Sequence, residues 1–168
     1  YTSRLAKKDR VFGFTPWFTF DYLLKQITKL QKNKPLKSIL DAGCGDARGV
    51  LWAGRMYGMR SLGLELNSEL VRRAGFIKRM LRLETVDIRE EDFFEEDWSE
   101  YDIIFCAWTT FNRETMKKMS QELLTDTCVV TLSEPIEHRK FSPVFTDRLL
   151  FSWGKTDVFI YGFNMEVQ

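Results

Sequence analysis

The densest chemical suggestion in the chain is nine residues long: Asp41-Ala42-Gly43-Cys44-Gly45-Asp46-Ala47-Arg48-Gly49. The apolar run ahead of it, 36–41 (LKSILD), reads as a buried strand, and residues 46–58 behind it read as a helix closed by Gly58. Glycine at 43 and 45 lets the backbone pass close beneath a ligand, and the helix start turns unpaired N–H groups toward an anionic part of it. Alone, a G-x-G occurs in structural turns about as often as in ligand loops. Glu65 changes that balance. It closes the next strand, 20 residues after Gly45, where a carboxylate can accept hydrogen bonds from both ribose hydroxyls.

Two nucleotide cofactors fit this pattern, a nicotinamide dinucleotide and S-adenosylmethionine. The next glycine, Gly49, follows Gly45 by four residues rather than the three of a dinucleotide fingerprint. Asp41 opens the loop with a carboxylate that would repel a pyrophosphate and suit the ammonium of a methionine moiety. The chain also has no second nucleotide-binding half. S-adenosylmethionine is the cofactor these residues favour.

The elements that must position the loop alternate. Thr15-Pro16 precedes an apolar-periodic helix over 17–30, with Pro16 at its first turn. After the first strand and helix come a strand at 60–65 and a helix, capped by Asn67 or Ser68, running to about Leu81. Strands at 84–88 and 101–107, a helix over 112–124 and a strand at 127–133 continue the rhythm. A closing pair at 145–153 and 156–163 is joined through Trp153-Gly154-Lys155-Thr156, a hairpin signal. The expected fold class is α/β: a doubly wound, Rossmann-like, mostly parallel sheet with an antiparallel C-terminal hairpin at one edge. With no internal repeat or linker composition, one domain is expected, comprising a basic arm and N-terminal helix at 1–33 and the cofactor-binding domain at 34–168.

Composition agrees with a single folded domain: 168 residues, 44% apolar, 29% charged, with 14 Phe and five Trp for a core. No stretch approaches the roughly 18 apolar residues of a membrane span, so a soluble chain is expected. Three widely spaced cysteines and one histidine make neither a disulfide framework nor a zinc site, so no metal is expected and an intracellular, cytoplasmic setting is the simplest reading. The chain begins at Tyr1 rather than Met, which leaves open an upstream anchor or targeting segment. The net charge of +1 conceals an asymmetry: residues 1–82 hold 17 Lys or Arg against six Asp or Glu, and residues 83–168 hold eight against 18. The acidic run from Glu84 to Asp102 reads first as a solvated face, and secondarily as a surface that could steer a basic segment.

Strand-DAGCGDARG-helix followed by GLELN resembles the class I S-adenosylmethionine-dependent methyltransferases, and the likeness extends over 13 to about 163. It implies that Asp41, Gly43, Cys44, Gly45, Glu65 and Leu66 hold the cofactor. It further implies that Asp92 binds the adenine amino group and that Phe93 packs on the ring. Within that superfamily the chain resembles the small non-SET protein lysine methyltransferases. The carriers are Phe14-Thr15-Pro16-Trp17 before the first helix, GLELNSELV, and the aromatic-acidic turn EDFFEEDWSEYDIIF. The fuller P-T-P spacing of the archaeal enzymes is absent.

At the end of the fourth strand the chain reads Phe105-Cys106-Ala107-Trp108-Thr109-Thr110-Phe111-Asn112, without the D/N-P-P-Y/F motif of nucleic-acid amino methyltransferases. A protein substrate is therefore expected, with RNA or a small molecule as the alternative acceptor and a non-catalytic binding module as a third reading. His138, in the charged segment EHRK, reads as surface. A lysine amine needs no dedicated base if an aromatic channel desolvates it. Trp108, Trp17 and Phe111 are the candidates to line that channel, with Phe14 behind them, each in competition with ordinary core packing.

Overall fold

The computed structural model describes residues 13–31, 35–123 and 127–162. The basic arm at 1–12 and the last residues of the expected closing strand lie outside the described residues.

Helix α1 (Trp17–Leu30) follows Pro16 and buries Phe20, Leu23, Leu24 and Ile27 along one face. Strand β1 (Ser38–Ala42) leads through the glycine loop into α2 (Arg48–Tyr57), which Gly58 closes in a left-handed conformation at φ +63°. Then come β2 (Arg60–Glu65), α3 (Ser68–Met80), β3 (Val86–Glu90) and β4 (Ile103–Cys106). After them α4 (Arg113–Glu122), β5 (Cys128–Leu132), β6 (Phe145–Phe151) and β7 (Gly154–Tyr161) complete the described chain. The sheet has seven strands in the order β3-β2-β1-β4-β5-β7-β6, parallel except for β7, which is antiparallel to both β5 and β6. The alternating rhythm and the edge hairpin are thus as the sequence implies.

Side-chain alternation along the strands divides the core. Ile39, Ile103, Phe105, Val130 and Ile160 meet α1 on one face, where α2 and α3 also pack through Val50, Leu51 and Ala74. Leu40, Leu64, Ile104 and Val129 face the other way, toward Met119 of α4 and the turn carrying Phe93 and Trp98. The reversal of strand order between β1 and β4 puts the carboxyl ends of both beside the glycine loop, the usual binding crevice of such sheets.

Several boundaries differ from the sequence pattern by one or two residues, and two of the differences have a visible cause. Strand β3 begins at Val86 rather than 84, because Arg82 turns left-handed at φ +52° and Val86 N–H still donates to Leu83 O at 3.4 Å, closing a turn across 83–86. The hairpin turns at Ser152-Trp153 and not at Gly154-Lys155: Phe151 pairs with Gly154, and Lys155 and Thr156 are already in β7. Tertiary bonds set that turn. Ser152 exchanges hydrogen bonds with Phe14, and Trp153 stacks on Phe151 at 4.9 Å while its indole N–H donates to Thr156 Oγ1 at 2.7 Å.

Candidate cofactor and acceptor site

The glycine loop folds back over the end of β2. Gly43 and Cys44 N–H both donate to Leu64 O at 2.9 Å, which requires the left-handed φ of +87° at Gly43. Gly63, on β2, sits so close that a Cβ there would come within 2.7 Å of Cys44 Sγ. Glu65 fastens the arrangement: one carboxylate oxygen accepts from Gly45 N–H at 3.0 Å and the other from Asn67 N–H at 2.8 Å. Asn67 in turn caps α3, accepting from Glu69 and Leu70 N–H. Each Glu65 oxygen keeps lone-pair capacity for a further donor.

Asp41 lies at the floor, on β1 beside Phe105, and is buried. Burial, and after it the charges of Glu65 and Asp46, push its carboxyl up to about 8. Asp46 is answered by Arg48, whose Nε donates to its two oxygens at 3.0 and 2.9 Å. Among the described residues Asp41 has no such partner, so a cationic group placed beside it would favour its ionised form. Burial likewise pushes the Cys44 thiol up, which leaves it an inert packing group.

One wall is aromatic. Phe111 approaches Gly43 so closely that a Cβ there would stand 3.2 Å from its ring, and it packs on Phe93 at 5.5 Å between centroids. Phe93 is buried against Phe94 and Trp98, and the Trp98 indole N–H donates to Phe93 O at 2.7 Å. Asp92 is exposed, one oxygen capping the turn by accepting from Phe94 N–H at 3.1 Å. Leu66, next to Glu65, projects into solvent at 57% exposure. The acidic run around these residues is largely occupied with local structure: Asp97 caps the next turn, and Glu96 pairs with Arg89 and accepts from Tyr101.

A cleft opens on the other side of the loop. Its lining brings Gly13, Phe14 and Thr15 of the N-terminal segment together with Trp153, Phe105, Ala107, Asp41 and Gly43. Arg48 steadies the N-terminal segment by placing its guanidinium 3.7 Å from the centre of the Phe14 ring. Gly13 runs under Trp153, where a Cβ would collide with the indole ring. Trp153, Ser152 and Arg48 were not singled out by the sequence. Only the aromatic hairpin turn and the cation inside the glycine loop hinted at them, and their partners lie far away along the chain.

The other expected channel residues stand elsewhere. Trp17 is 55% exposed on α1, packed at a tilt on Trp52 at 4.9 Å between ring centroids, outside the residues that line the cleft. Trp108 is buried with Cys106 and Met119. His138 is exposed, its Nδ1 accepting from Lys140 N–H at 3.3 Å. Among the described residues no three His, Cys, Asp or Glu side chains gather as a metal site, and no helix is long and apolar enough to cross a membrane.

No family model matches the chain. A protein-lysine N-methyltransferase of Saccharolobus islandicus is 28% identical over 128 residues, covering 74% of this chain and 78% of the relative. Among solved structures, an RNA methyltransferase of Salinibacter ruber, crystallised with S-adenosyl-L-homocysteine, superposes with a TM-score of 0.67 at 24% identity, covering 88% of this chain and 93% of that one. A geranyl diphosphate C-methyltransferase of Streptomyces coelicolor A3(2) superposes at 0.63 with 14% identity, covering 86% and 74%. By sheet order and superposition the chain has the fold of these class I methyltransferases. The Salinibacter ruber structure holds S-adenosyl-L-homocysteine, and the residues here fit the corresponding methyl donor, S-adenosylmethionine: a buried carboxyl at Asp41 that a cation can ionise, the glycine turn at Gly43 and Gly45, and a carboxylate with spare acceptor capacity at Glu65.

Proposed function

We propose that this chain transfers a methyl group from S-adenosylmethionine to a lysine ε-amine of a protein substrate. The observation that carries the reading is the small cleft whose lining joins the aromatic side chains of Phe14, Phe105 and Trp153 to Asp41 and the glycine loop. The Saccharolobus islandicus relative named as a protein-lysine N-methyltransferase supports it. Asp41, Gly43, Cys44, Gly45 and Glu65 hold the methionine and ribose portions, and Leu66, Asp92 and Phe93 hold the adenine side. When bound, the cofactor would supply an electrophilic methyl group on a sulfonium, open to in-line attack by a neutral amine with the thioether leaving on the C–S electron pair. A lysine ammonium with a pKa of about 10.4 must first lose its proton. Phe14, Phe105 and Trp153 favour that loss by excluding water from the ammonium, the proton leaving through the open mouth. The same walls restrict the amine to one line of approach. Phe111 packs between Gly43 and Phe93 on the adenine side of the loop. Trp108 packs in the cluster that borders Phe111, and Trp17 stiffens the seam between α1 and α2.

Incubating the protein with methyl-labelled cofactor and a cell extract tests this reading. Label is expected in material that survives nuclease, is lost on protease digestion and yields methyl-lysine on hydrolysis. Label confined to RNA or to small molecules overturns it.

A further inference from the structure

Helix α3 carries two apolar stripes where a sheet-packing helix needs one. Its inner stripe buries Ala74 and half-buries Leu70 and Val71 against α2 and β3. The second faces solvent: Phe76, Ile77, Met80 and Leu81, at the helical spacing that aligns side chains on one surface, are 42% to 67% exposed. Four large apolar side chains side by side on the outside of a small domain are unusual, since scattered single ones are the rule.

The rim of this patch is basic. Residues 68–82 hold Arg72, Arg73, Lys78, Arg79 and Arg82 against Glu69 as the sole acid. Arg72 and Arg73 share Glu69 in fully exposed pairs that exchange readily for other anions, and Lys78 leans toward Asp87 at 3.5 Å. The surface is a convex helix flank with arginine forks around an apolar centre, a form suited to lying in a lipid interface with the guanidiniums on phosphates. Residues 1–12, with Arg4, Lys7, Lys8 and Arg10 against Asp9, would meet like charge there. The patch occupies the C-terminal half of α3. That half stands beside the start of β3, at the opposite end of the sheet from the cleft, so an occupant leaves the cleft open.

We propose that this face of α3 docks the protein on an anionic lipid surface, with Phe76, Ile77, Met80 and Leu81 in the headgroup boundary and the flanking arginines on lipid phosphates. The test is flotation of the full chain with phosphatidylcholine vesicles, with and without about 30% phosphatidylserine. Flotation is expected only with the anionic vesicles, falling as salt rises to about 0.5 M. Phe76→Ser with Met80→Ser, and separately Arg79→Glu with Arg82→Glu, should each weaken it at least roughly tenfold while methyl transfer to a dissolved acceptor stays unchanged. Because the native cysteines are buried, an environment-sensitive dye on Met80→Cys should shift to the blue with anionic vesicles alone. Absence of flotation, flotation indifferent to both variants, or an unshifted dye overturns the proposal. So does a protein that binds no vesicles but self-associates in sedimentation and is dispersed by Phe76→Ser with Met80→Ser, which would assign the face to a second copy of this chain.

Discussion

Asp41 is where a single residue decides most. An unfolded aspartate titrates near 3.9, whereas burial and then Glu65 and Asp46 raise Asp41 to about 8 in the fold. Between those values the folded chain holds a proton that the unfolded chain lacks. Stability from this group is therefore full below about pH 4 and is lost as pH rises through about 8. Without cofactor, the thermal midpoint should fall between about pH 5 and pH 8.5, and Asp41→Asn should flatten that slope; an unchanged slope removes the assignment. A cationic ligand favours the ionised form, so cofactor binding near pH 7 should release protons. Calorimetry in buffers of different ionisation enthalpy should detect this for the native chain and not for Asp41→Asn. Glu65 serves twice, since the carboxylate expected at the ribose already bonds Gly45 and Asn67 N–H. Glu65→Ala should then cost about 1 to 3 kcal/mol in stability in addition to a comparable loss in cofactor binding, measured by denaturant melts and calorimetry. Glu65→Gln, which keeps an acceptor oxygen, should fall between. Loss of binding with native stability would mean that the two backbone bonds contribute nothing.

At the scale of elements, the cofactor loop depends on how closely β2 runs beneath it. Gly63→Ala would drive a methyl against Cys44 Sγ, lifting the loop from Leu64 O. Overpacking of this kind costs about 1 to 3 kcal/mol, and cofactor affinity should fall with stability because the same loop carries both. Parallel melts and titrations of Gly63→Ala check this; native affinity in a destabilised variant would separate loop from site. These local relations explain which elements could be read in advance. The span of α1 followed from Pro16 and the spacing of Phe20, Leu23 and Ile27, and α3 from Asn67, because such signals lie within one turn of what they specify. Strand β3 moved by two residues because Arg82 adopts a left-handed turn that no local pattern announces. The hairpin moved because Ser152 bonds to Phe14, 138 residues away. The meeting of Asp41, Gly43 and Glu65 around one loop was legible since strand, loop and strand are neighbours in sequence. That of Trp153 with Gly13 was not, since the two stand near opposite ends of the chain.

Across the whole molecule, the proposed transfer draws on two regions. The residues proposed for the cofactor come from β1, β2 and the turn after β3, whereas the cleft mouth is made where the N-terminal segment meets the β6–β7 turn, joined by Phe14, Ser152 and Trp153. In the proposed function that mouth is the surface that would meet a bulky acceptor. The division predicts separable defects. Trp153→Ala opens the mouth and removes the ring that covers Gly13 without touching Asp41 or Glu65. Gly13→Ala displaces the same ring by collision. Both variants should raise KM for a protein acceptor and lower kcat, together about tenfold to a hundredfold in kcat/KM, because a misplaced channel loses alignment as well as binding. Cofactor affinity should change by less than about threefold. The measurement is a steady-state titration of acceptor and cofactor separately, with calorimetry for the cofactor. If Trp153→Ala weakens cofactor binding as much as it impairs transfer, the mouth is part of the cofactor pocket and the acceptor enters elsewhere.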